Sequence, residues 1–163
     1  MFLSVAAVNV PSMPHDIRRA SGQDAPALNA LLHASSAYQG DYASILEGYE
    51  VTPEYVERHL VFAAFPSGLP DTGPLGFYSL TDAELDLLFV ADPAQGTGLG
   101  AALIAHMLEI ARAKEIPSVR VVSHPPAASF YERMGARRTG TIPPRPPKIS
   151  WERPELTFDT GGV

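Results

Sequence analysis

A chain of 163 residues, 45% apolar and 18% charged, has the balance of one globular domain with a core of ordinary size. Lys and Arg number 12 against 18 Asp and Glu, and the resulting charge of −6 argues against nucleic acid as a partner. The absence of cysteine excludes disulfides, thiolate metal sites and a cysteine nucleophile.

Residues 1–12 are small and apolar, lack the basic flank of a signal peptide and are too short to span a bilayer. They read as a loose arm ahead of a single domain over 13–163, in a cytoplasmic protein with no membrane partner. Ile17, Arg18, Arg19 and Ala20 predict a first strand. A turn over 21–24 leads into a helix carried by Ala27, Leu28, Ala30, Leu31 and Leu32, fading near Tyr38. Gln39, Gly40 and Asp41 break it. Thr52 is placed to cap a second, short helix with Pro53 at its first position and Glu54 and Glu57 in its first turns.

Strand-like runs follow. Residues 60–65 are continuously apolar, and 76–80 resume after a loop rich in Pro and Gly, so the two predict a hairpin. Glu84–Val90 alternates and then turns wholly apolar, as a central strand does. Asp92, Pro93 and Ala94 end it. A long helix then runs to about Lys114, with Leu99, Leu103, Met107 and Ile110 at helical spacing. Residues 119–123 predict a strand and 127–134 a short helix stopped by Gly135. The prolines of 143–147 mark a loop, and 156–158 a last strand. The order β α α β β β α β α, then a tail, implies an α/β (α+β) arrangement around one mixed central sheet flanked by helices.

The most informative segment is Gln95, Gly96, Thr97, Gly98, Leu99 and Gly100. A strand ends, three glycines stand at alternate positions, and a helix begins. Glycine lets backbone approach a ligand closely and take positive φ. The first amides of the helix lack intrahelical partners and lie at the positive end of its dipole, which suits a diphosphate.

The run from Phe89 to Gly100 resembles motif A of the GNAT acyltransferase superfamily, whose Gln/Arg-x-x-Gly-x-Gly/Ala pattern is met by Gln95, Gly98 and Gly100. Downstream, Ala127, Phe130, Tyr131, Glu132 and Gly135 resemble the family's A-x-x-F-Y-E-x-x-G helix. The resemblance implies a GNAT-like sheet with a splayed strand pair, opened by a bulge in Glu84–Val90. It implies acetyl-CoA as the acyl donor and an amine of a small molecule or peptide as acceptor, attacking directly through a tetrahedral intermediate. Pantetheine is expected against Leu88, Phe89 and Val90, the pyrophosphate on Gln95, Gly96, Thr97, Gly98, Leu99 and Gly100, and Phe130 beside the cofactor. Tyr131 matches the general acid that protonates the leaving thiolate. Since the family often pairs, a homodimer fits as well.

The sequence departs from the family where an Asn is usual before the last helix: His124, Pro125 and Pro126 stand there. Three residues stay open as the base: Glu84 and Asp86, placed on one face by alternation, and His124 at the end of the next strand. Tyr38, Tyr42 and Tyr49, with Asp41, Glu47 and Glu50, read equally as an aromatic, acidic wall for a cationic amine and as a loop between two helices whose tyrosines cover the core. His15, His33, His59 and His106 show no metal-ligand spacing, and no metal is expected. Two rival readings are a non-catalytic acyl-CoA-binding regulator and an NAD(P)-dependent oxidoreductase. The second is disfavoured because Asp92 to Gln95 separate the glycines from their strand and no acid ends the next one.

Overall fold

The computed structural model describes residues 14–161 apart from 37, 39 and 70, so the expected arm at 1–12 lies outside the described residues. Among these residues seven strands form one sheet: β1 (His15–Arg19), β2 (Leu60–Pro66), β3 (Gly76–Thr81), β4 (Glu84–Val90), β5 (Ser118–Val122), β6 (Arg137–Ile142) and β7 (Arg153–Asp159). Their spatial order is β1-β2-β3-β4-β5-β7-β6. All neighbours run antiparallel except β4 and β5.

Among the described residues, four α-helices cover the two faces: α1 (Ala25–Ala34), α2 (Pro53–Arg58), α3 (Leu99–Ala113) and α4 (Ala128–Arg133). On one face Leu28 and Leu32 of α1 and Val56 of α2 pack against Val61, Ala63, Phe77 and Phe89. On the other, Leu99, Leu103 and Met107 of α3 and Tyr131 of α4 meet Tyr78, Leu80, Leu85, Val121, Leu156 and Phe158. The period of two along each strand thus divides the core into two layers.

Local signals account for most boundaries. Thr52 Oγ1 accepts the Tyr55 amide at 3.0 Å and Pro53 opens α2, as the cap predicted. Gly135, at φ 108°, ends α4. Two expectations fail. The first helix stops at Ala34 because Ser35 turns extended, which releases Tyr38 from the helix. The tail after Gly135 holds two paired strands, and β6 escaped prediction. Its sequence, Arg-Arg-Thr-Gly-Thr-Ile, has no apolar alternation, so pairing to β7 at the sheet edge holds it.

Candidate active site

Strands β4 and β5 share one rung, Glu84 opposite Arg120. Beyond it they diverge. The cause lies in β4: Ser79 faces Leu87 and Leu80 faces Leu85, so Asp86 is an extra residue, a β-bulge. The bulge leaves Leu87 and Phe89 on the α1–α2 face and Leu88 and Val90 on the α3 face. Between the two strands lies a cavity of about 1140 Å³, lined along one side by all seven residues of β4 and along the other by Val121, Val122, Ser123 and His124.

At its wide end the cavity reaches the glycine turn. Gln95, Gly96, Gly98 and Gly100 line it, while Thr97 and Leu99 do not. The Thr97 hydroxyl donates to the Ala94 carbonyl, and Leu99 is buried in the core. Their amides still belong to the turn, but their side chains are structural. Gly98 caps α3 in the left-handed region at φ 88°, where a side chain would be strained. A Cβ on Gly100 would stand 3.2 Å from the Phe130 ring, so a larger residue would press on that wall. Among the described residues no side chain caps α3, and Gly98 and Gly100 at its amide end line the cavity. Gln95 Nε2 holds the turn to the strand end, donating to the Val90 carbonyl at 3.3 Å and to Asp92 Oδ1 at 3.2 Å.

Phe130 and Tyr131 come from α4 and line the same cavity. Burial, with a smaller contribution from Tyr38, pushes the Tyr131 phenol well above its ordinary pKa, so it is protonated at neutral pH. Tyr38 lies against the opposite wall: its ring stacks on His124 at 4.2 Å and tilts against Phe89 at 5.5 Å. Burial raises its phenol to about 12. Tyr49 lines the cavity too, raised to about 12 by burial and then by Asp86.

Tyr42 is not part of the lining. It packs edge-on against His124 at 5.5 Å and Trp151 at 4.9 Å, supporting the wall from behind. The acidic wall does not form from Glu47 and Glu50, which are exposed and away from the cavity; the Asp41 side chain lies outside what is described. Instead the 3-10 turn Gly40–Leu46 joins the 143–152 loop: Ser44 Oγ donates to the Lys148 carbonyl at 2.5 Å, and Lys148 Nζ to the Glu47 carbonyl at 2.9 Å. The two segments make a roof on the α1–α2 side.

The three base candidates have different surroundings. Glu84 sits at the closed end, 3.6 Å from Arg120. Burial raises its pKa, with Arg120 opposing. Asp86, on the bulge, accepts a short hydrogen bond from Tyr55, whose hydroxyl also meets Ser79 Oγ at 2.6 Å. His124 is buried beneath Tyr38.

Residues 71–142 match the family model for the acetyltransferase (GNAT) domain. The match runs from β3 to β6 and takes in the glycine turn and α4. Among solved structures, a GCN5-related N-acetyltransferase from Rhodopseudomonas palustris shares 21% identity at a TM-score of 0.72, over 92% of this chain and 98% of its own. The PaiA N-acetyltransferase of Thermoplasma acidophilum, solved with coenzyme A, shares 21% at 0.69, over 90% and 99%. The ribosomal-protein-S18-alanine N-acetyltransferase of Escherichia coli shares 16% at 0.66, over 91% and 96%. These likenesses establish the GNAT fold. No curated protein sequence matches the chain.

The cavity also holds residues that the sequence did not single out: Ile45 and Leu46 from the roof, Arg133 of α4 and Arg153 at the start of β7. Arg133 could have been found, since it lies within the second motif. Arg153 sits in what read as tail. Among the described residues, no group of three or more His, Asp and Glu could hold a metal ion, and no helix is long and apolar enough to cross a membrane.

Proposed function

We propose that this chain transfers an acetyl group from acetyl-CoA to a primary amine. One observation carries the reading: the splayed pair β4–β5 opens onto a glycine turn at an uncapped helix N-terminus. The opening suits an extended chain that pairs with β4 backbone, and the turn suits a diphosphate. Leu88, Phe89 and Val90 would line the pantetheine, the turn amides would hold the diphosphate, and Phe130 would close the wall at Gly100. The thioester supplies an activated carbonyl when bound.

The protein's own groups then position the amine and move protons. The amine enters beneath the roof, past Tyr38 and Tyr49, and must be deprotonated before it attacks. Asp86 is the favoured base, because its bulge places a carboxylate in the cavity with Tyr55 orienting it. Glu84 is tied to Arg120 at the narrow end, and His124 is covered by Tyr38. The β4 amide near Val90 is the oxyanion donor. Tyr131, kept protonated by burial, gives its proton to the departing thiolate.

The test is calorimetric titration with acetyl-CoA and with NAD(H), in the parent, Gly98→Glu and Gly98→Ala. Both variants carry the backbone strain at φ 88°, but only the first adds charge and bulk at the turn. Acetyl-CoA should bind the parent, bind Gly98→Ala more weakly and fail to bind folded Gly98→Glu. Heat with NAD(H) alone would overturn the reading. Binding without turnover of any amine would favour a regulatory role.

A further inference from the structure

The cavity holds a cation that nothing among the described residues neutralises. Arg153 lines it, and its Nε is buried without a hydrogen-bond partner. Among the described residues no carboxylate stands within ion-pair distance of it. The nearest acid on the strand, Glu155, is engaged by Arg120, which also holds Glu84. The charges that Arg153 does feel are Arg145 and Arg120; after burial, these push its pKa down, and no acid opposes them. A buried guanidinium donor left unpaired is costly, so such groups normally have a partner in the working state.

Its position separates it from the diphosphate end. Pro154, Leu156 and Phe158 of β7 are buried, with Leu156 and Phe158 in the α3 layer, so alternation turns Arg153 and Glu155 to the other face. That is the face of the roof, of Tyr49 and of Asp86. Trp151 Nε1, in the same stretch, is also buried and unpaired, but it stands behind the wall against Tyr42 and does not line the cavity. An unpaired donor in the cavity wall suits a ligand that brings acceptors, and the Arg153 guanidinium matches the two oxygens of a carboxylate. Asp86 supplies the opposite charge on the same side. We infer that Arg153 binds a carboxylate on the acceptor, so that the substrate is an amine carrying its own acid group, such as a free amino acid.

This rests on the acetyl-transfer reading, and the experiment separates the two. Release of coenzyme A thiol is followed with acetyl-CoA and the free amino acids, each beside its amide, and with simple alkylamines. Parent, Arg153→Gln and Arg153→Lys are compared, each checked for folding by its thermal midpoint. The best amino acid should exceed its amide in kcat/KM by about 10- to 100-fold. Arg153→Gln should raise its KM by a similar factor and erase the preference, with Arg153→Lys between, while acetyl-CoA binding stays unchanged. Equal use of acid and amide, or a preference that survives in Arg153→Gln, would overturn the inference. Carboxylate binding is also read without turnover, by titrating the protein with N-acetyl amino acids in the presence and absence of coenzyme A. Heat that disappears in Arg153→Gln supports the site, and no heat in the parent overturns it. Failure of acetyl-CoA itself to bind would instead count against the acetyl-transfer reading.

Discussion

At the scale of single residues, Tyr131 is the side chain whose chemistry is set most clearly by its surroundings. Burial disfavours the phenolate, so the proton is retained through the neutral and mildly alkaline range. Tyr131→Phe keeps the ring in the core beside Phe158 and removes only that proton. We expect kcat to fall about a hundredfold or more with acetyl-CoA affinity little changed, measured by thiol release and calorimetry. An unchanged kcat would take Tyr131 out of the mechanism. The pH–rate profile of the parent should have no alkaline limb from this phenol over that range, and its acidic limb should belong to the base and the amine. Tyr131 was readable in the sequence because it stands inside a motif. Arg153 was not: its importance comes from what is missing around it, and an unpaired donor leaves no trace in a string of letters.

At the scale of elements, the helices and the apolar strands were legible because each carries its own signal. The cap of α2 is an example. Thr52→Ala removes an acceptor for the Tyr55 amide and should destabilise the fold by about 1 kcal/mol, read from chemical denaturation. Because Tyr55 sits in that first turn and bonds Asp86, the same variant should also loosen the bulge carboxylate. Strand β6 gave no comparable signal. Its exposed, polar residues form a strand because β7 offers a backbone edge, which is a property of the partner. A bulge somewhere in β4 was expected from family resemblance, but not its place at Asp86; the residues of β4 alone show only alternation followed by an apolar run.

At the scale of the whole molecule, the sheet is two half-sheets joined by one rung between Glu84 and Arg120. An acyl-CoA lying between β4 and β5 would fill the missing ladder. Acetyl-CoA at about a hundredfold excess over Kd should therefore raise Tm by roughly 5–10 °C, checked by calorimetry, and slow amide exchange on both strands. Under the proposed reaction, the roof on one face and the glycine turn on the other would have the amine and the thioester approach from opposite sides. Helix α3 bridges the gap: Leu103 and Met107 belong to a layer that includes Tyr78 and Leu80 from one half-sheet and Val119 and Leu156 from the other. It acts as a splint whose side-chain volume sets how far apart the halves are held. The aperture of the cleft is thus a packing quantity, and even a conservative change deep in α3, touching no ligand, would alter its width.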